Sequence, residues 1–200
     1  MNISKLISIV LHPIFMPIIG FYLSLQLIPN IGFAITNYLD FIYPILIFTT
    51  IIFPIISLFF LIKGNVVSSF EITNYSERPL PLFITAISIG VGYYMLKHIL
   101  VFSQILQAEL LGAIIIIISA SVISIYWKIS LHMLGLGGLT GVFFGLNALF
   151  GGLSHMIIIS VLFGGVLGVS RLNEKAHNTP QIYTGFLVGF LIESGTILLL

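Results

Sequence analysis

The chain is predicted to be all-α: a polytopic bundle of six or seven transmembrane helices. Three observations predict this. Hydrophobic residues make up 58% of the chain and charged residues 6%, whereas soluble domains carry about a quarter charged residues. Apolar stretches of the length that crosses a bilayer, roughly 20 residues, recur from end to end. Half of the acidic, basic and histidine residues are concentrated in three short islands, Glu71–Pro79, Lys128–His132 and Ser170–Gln181, and each island opens one of those stretches. Two hundred residues spent this way leave little for a soluble domain, so residues 1–200 are expected to form a single membrane domain.

The first apolar run, 6–28, carries Pro13 and Pro17 directly after His12. Proline removes a backbone donor and kinks a helix, so this segment is expected to be bent or partly re-entrant. No small-residue cleavage site follows it, and it is read as a retained span rather than a signal peptide. Further spans are predicted at 41–62, 80–101 and 110–127. In the third, Ser76–Pro79 places proline near a first helical turn, where a missing donor costs little. The fifth span, 131–150, has Ser130 as its expected N-cap. Gly151-Gly152 makes a tight hairpin into the sixth, 153–170. Thr179-Pro180 is read as an N-cap followed by proline at the first helical position of the seventh, 181–200. The glycines of 135–145 and 164–168 are read as close helix packing in lipid rather than as a phosphate loop.

Between consecutive islands lies enough apolar sequence to cross the bilayer and return, so all three emerge on one membrane face. Arg78, Ser130, His132, Arg171 and His177 can therefore share a site. Helix N-termini present free N–H groups and partial positive charge, and arginine donates bidentate hydrogen bonds, so the pattern suits a phosphate or similar oxyanion. Either arginine alone is equally well read as a boundary anchor. His98 and His155, near other span ends, read as packing or interface residues, and Glu77 and Glu174 as solvated loop charges. Zinc on His132, His177 and Glu71 is disfavoured, because no histidine has helical ligand spacing and two arginines would repel a cation. A net charge of +1 argues against nucleic acid. With no cysteine, thiol chemistry and disulfides are excluded.

The islands resemble the three motifs of the type 2 phosphatidic acid phosphatase superfamily, K-x6-R-P, P-S-G-H and S-R-x5-H-x3-D. Here they read Glu71-x6-Arg78-Pro79, Ile129-Ser130-Leu131-His132 and Ser170-Arg171-x5-His177-x3-Gln181. The resemblance covers 71–181 and keeps order and spacing. It implies that His177 attacks phosphorus and becomes a phosphohistidine, and that His132 protonates the leaving group and later activates water. It further implies that Arg78, Arg171 and Ser130 hold the phosphoryl oxygens. No metal or other cofactor is implied. The implied substrates are lipid phosphates or polyprenyl diphosphates, with the lipid bilayer as the other partner.

Three positions depart from the family pattern. Glu71 stands in place of a phosphate-binding lysine, Gln181 in place of the aspartate that supports the nucleophile, and Leu131 in place of glycine. An amide can hydrogen-bond imidazole but cannot stabilise imidazolium by charge. The resulting expectation is a phosphatase of reduced activity, with a non-catalytic phospholipid-binding or phospholipid-moving relative as the alternative. Lys5, Lys63 and Lys175 on the island side, against Lys97 opposite, point the islands to the cytoplasm. The family commonly places its site on the other side, and we adopt that orientation in a bacterial cytoplasmic membrane.

Overall fold

The structure is a computed structural model that describes residues 3–101 and 103–199. Leu200, the last residue of the seventh predicted span, lies outside the described residues. Ten α-helices follow one another: α1 (Ile3–Val10), α2 (Met16–Leu27), α3 (Pro29–Gly32), α4 (Leu39–Ile47), α5 (Phe53–Lys63), α6 (Pro79–Leu100), α7 (Gln104–Tyr126), α8 (Leu131–Phe150), α9 (Ser154–Asn173) and α10 (Thr179–Leu199). Among the described residues all of these but α3 build seven helical segments long and apolar enough to cross a membrane. The chain is an all-α polytopic bundle, as its composition predicts.

Two of the seven segments are broken, each by proline. The first parts into α1 and α2 at His12-Pro13, where a short 3-10 turn, Pro13–Phe15, intervenes. The second joins α4 to α5 through a π turn, Phe48–Ile52. Within it the Phe53 N–H reaches the Phe48 carbonyl, five residues back. That shift takes Phe53 away from the Thr49 carbonyl, whose next donor along the chain is Pro54, which has no N–H. The Ser88 hydroxyl of α6 fills the gap and donates to the Thr49 carbonyl at 2.7 Å.

The centre of the bundle is α8, two-thirds of whose span is buried, the largest share of the seven. Against it runs α10. A Cβ on Gly137 would collide with the Phe186 carbonyl, and one on Gly189 with the Leu134 carbonyl. Gly137, one of the glycines read as packing positions, and Gly189, which the sequence did not single out, let two backbones touch, because only a missing side chain permits that approach. Gly165, read likewise as a packing position, meets nothing within 4 Å. Around this pair, α2 packs on α7 and α8, α9 on α8, α1 along α9, α6 on α7, and α5 on α6.

Three helix starts differ in detail from the reading of the sequence. Helix α7 begins at Gln104, not 110, because Glu109, which resembles a boundary charge in sequence, is buried inside the helix. Ser130 occupies the cap position of α8, but its hydroxyl makes no capping bond. The cap of α10 is Asn178 rather than Thr179: the Asn178 side-chain oxygen accepts the Gln181 N–H at 3.1 Å. The Gln181 side-chain oxygen accepts the Asn178 N–H at 3.2 Å in return, closing a reciprocal capping box. Gly151 and Gly152 both take positive φ, +74° and +77°, in the tight α8–α9 turn.

Candidate functional site

A cavity of about 1150 Å³ runs into the bundle from the island face, and its mouth is lined by Arg78, Lys128, His132, Arg171 and His177 from all three islands. Each is positioned by local chain geometry.

Arg78 caps the start of α6 and is 6% exposed. Its Nε donates to the Ile72 carbonyl at 3.1 Å and its Nη1 to the Ile129 carbonyl at 3.0 Å, tying the first island to the second. Ile72 holds φ at +39°, a costly conformation for a β-branched residue, in the loop that aims its carbonyl at Arg78.

Arg171 lies in the last turn of α9. Its Nη1 donates to Glu174 at 2.5 Å and to the Ser8 hydroxyl at 3.2 Å. Its Nε is buried without a partner. Glu174, expected as a solvated charge, is instead half-buried in this ion pair and accepts from Ser8 as well. The arginine's positive charge beside it outweighs what water would offer.

His177 reaches the cavity because α9 ends in a Schellman turn. The Lys175 N–H bonds to the Leu172 carbonyl, the Ala176 N–H bonds to the Arg171 carbonyl, and Lys175 takes the left-handed φ of +52°. The reversal delivers His177 just ahead of α10. Its Nδ1 lies 3.0 Å from the Gln181 amide oxygen. That oxygen already accepts the Asn178 N–H, which fixes the amide's orientation, and an amide oxygen can only accept. Nδ1 therefore carries the hydrogen and Nε2 keeps its lone pair. Burial holds His177 well below the usual histidine range, at about 4. The Gln181 bond opposes the shift, and the charges of Arg78, Arg171 and Lys128 add to it. Lys128 is lowered likewise, by burial and then by the two arginines.

His132 stands in the first turn of α8. Its Nε2 lies 3.0 Å from the Ser8 carbonyl, which can only accept, so Nε2 carries hydrogen. The His12 ring packs edge-on against it, with centroids 5.2 Å apart. Glu71 sits at the cavity rim, 3.6 Å from Lys5, with both side chains largely exposed.

Two sequence-predicted site residues stand behind the wall rather than on it. Ser130 is fully buried, its hydroxyl without a partner, and neither it nor Gln181 lines the cavity. The Ser130 N–H donates to the Gln181 carbonyl at 3.3 Å, joining the second island to the third. His98 and His155 are exposed near the far ends of α6 and α9, away from the island face. Sequence reasoning missed Lys5, Ser8 and His12 of the first segment, all on the cavity wall. The available signal was His12 itself, an ionisable side chain within an apolar run and next to the proline break.

The cavity then continues between apolar walls, among them Ile89, Ile116, Leu139 and Val142. Fold and cavity together define a polytopic helical membrane protein with a cation-rich, histidine-bearing chamber opening on one face. Compared with protein-family models, curated proteins and solved structures, the chain matches none.

Proposed function

We propose that the chain is a membrane lipid-phosphate or polyprenyl-diphosphate phosphatase working through a phosphohistidine on His177. The observation that carries this reading is the convergence of Arg78, Arg171, His132 and His177 on one cavity, with the His177 Nδ1–H held by Gln181. Phosphoryl transfer asks mainly for positioning and for stabilisation of spreading negative charge. The arginines supply the charge. The apolar walls beyond suit a lipid chain, and the cationic mouth suits its phosphate.

In the proposed cycle the His177 Nε2 lone pair attacks phosphorus, the bond from phosphorus to the lipid oxygen breaks, and His132 as imidazolium gives that oxygen its proton. The arriving phosphate charge favours the imidazolium. Neutral His132 then takes a proton from water, whose oxygen attacks the phosphohistidine. Phosphate leaves, and both histidines return to their starting states. Attack and leaving-group protonation fall on opposite sides of phosphorus, which is why two histidines are needed. Ser130 and Gln181 act here as positioning residues, and we place the site on the outer side of a bacterial cytoplasmic membrane.

Gln181 and Glu71 favour a second reading, a relative that binds or moves phospholipids without cleaving them. An amide cannot offset imidazolium charge, and the corresponding Asp→Asn change in serine-protease triads costs about 10⁴ in rate. Phosphate release from a panel of lipid phosphates and polyprenyl diphosphates, with His177→Ala as control, separates the two. Turnover lost in His177→Ala supports the phosphatase. Headgroup binding without turnover, abolished by Arg78→Ala and Arg171→Ala, supports the carrier.

A further inference from the structure

Two carboxylates in the same cavity take no part in the proposed phosphoryl chemistry. Glu109 of α7 and Glu193 of α10 are 5% and 3% exposed, and both line the cavity wall. Glu109 stands five residues inside the start of α7, about 8 Å at 1.5 Å per residue. Glu193 stands six residues before the end of α10, about 9 Å. His177 and Lys128 adjoin the opposite ends of these helices. The pair therefore marks the cavity's far end, a separate place from the histidines.

Both carboxylates are incompletely satisfied. The Ser24 hydroxyl of α2 donates to Glu109 Oε1, while Glu109 Oε2 and Glu193 Oε1 are buried without a partner. A Cβ on Gly112 would fall 2.5 Å from Glu193 Oε2 and 2.6 Å from the Thr196 hydroxyl. Gly112 is one helical turn beyond Glu109 on the same face of α7, so the missing side chain opens the space in which the two acidic groups approach.

The elements around them bring no compensating cation to this depth. Helix α2 has no charged residue, and the only ionisable residue of α8 is His132, at the island end. On α6, Lys97 lies over the Tyr94 ring and His98 is exposed. Among the described residues the ion pairs are Lys5–Glu71 and Arg171–Glu174, and neither involves this site. Two negative charges inside a bilayer without a countercharge are prohibitively costly. Neutrality requires small cations, and the available ligands are all hard oxygens: two carboxylates and the hydroxyls of Ser24 and Thr196. Among the described residues no third acidic or imidazole side chain joins the two carboxylates, so the set falls short of what a divalent ion asks of an all-protein site.

We propose that Glu109 and Glu193 form an intramembrane binding site for a small monovalent cation, Na⁺ or H⁺, at the far end of the cavity. One of the two negative charges is neutralised by a retained proton and the other by the exchangeable cation. This inference stands independently of the phosphatase reading.

The test uses the full chain in lipid nanodiscs, with NaCl compared against choline chloride at equal ionic strength. The measurements are thermal unfolding and the infrared C=O band of protonated carboxyl groups. If the exchangeable ion is Na⁺, sodium raises the unfolding midpoint and diminishes the carboxyl band, with a proton released per ion bound. If it is H⁺, sodium does nothing, but the band shrinks as pH rises. Either response supports the site provided that Glu109→Gln and Glu193→Gln each remove it. Should the glutamine variants fail to fold, Ser24→Ala and Thr196→Val must weaken the wild-type response. A band indifferent to both pH and sodium, with no shift in midpoint, overturns the proposal, as does a response that survives both glutamine variants.

Discussion

At the scale of single residues, the informative group is Gln181, whose side-chain oxygen serves two N–H donors at once, the Asn178 backbone and His177 Nδ1. One atom thus starts α10 and sets the tautomer of the neighbouring imidazole. With His177 held at about 4, its nucleophilic form is the neutral ring. The acid limb of kcat/KM due to this group should therefore fall near pH 4, with activity lost as pH drops through it. Gln181→Asp places a carboxylate beside the ring and stabilises imidazolium, so that limb should move to higher pH while turnover at neutral pH rises. A pH–rate profile of wild type and variant checks both statements, and wild-type turnover abolished by Gln181→Asp would show the amide to be an adapted partner. Glu71 is a different kind of position. It pairs with Lys5 at the exposed rim, where such pairs contribute about 0–1 kcal/mol. Glu71→Lys should leave the unfolding midpoint nearly unchanged and lower KM for an anionic substrate, with kcat little altered.

At the scale of helices, the decisive contact is the glycine-mediated approach of α8 and α10. Gly189→Ala drives a methyl group into the Leu134 carbonyl, and backbone on both sides leaves nothing flexible to yield. We expect a loss of about 3 kcal/mol or more. Gly165, on α9, meets nothing within 4 Å, so Gly165→Ala should be neutral or slightly stabilising. Denaturation in mixed micelles compares the two, and equal losses would contradict the packing argument. A second helix-level expectation concerns the π turn. Ser88→Ala deprives the Thr49 carbonyl of the hydroxyl that compensates for Pro54, at a cost of about 1–3 kcal/mol in a buried setting.

At the scale of the whole molecule, seven segments place the islands and the N-terminal end of α1 on one side, and the α8–α9 turn on the other. The chain has no cysteine, so single introduced thiols report topology without background. Thr73→Cys lies in an exposed part of the first island and His155→Cys in the exposed start of α9. With an outward site, an impermeant maleimide on intact cells should label position 73 and spare position 155. The reverse pattern would place the cavity mouth in the cytoplasm, as the lysine distribution suggests.

Composition and span length alone dictate the bundle and bring the islands to one face. Apolar runs of spanning length leave few other folds, and an even number of crossings between islands returns each to the same face. The proline break near His12 was also readable, because proline acts on its own helix, and the glycines of 135–145 marked a face that another backbone could approach. That α10 is the one that does so, and that Gly165 meets nothing, was not readable. Tertiary structure decided the rest. That Lys5, Ser8 and His12 join the site depends on α1 packing along α9, far away in sequence. Nothing local distinguishes Glu174, paired with Arg171 and Ser8, from a solvated loop charge. Glu109 resembles a span boundary until α2 and α10 are seen to enclose it. Residues whose role is set by neighbours along the helix are legible from spacing alone. Those whose role depends on which distant group supplies a countercharge, or leaves one unsupplied, become legible only once the bundle is assembled.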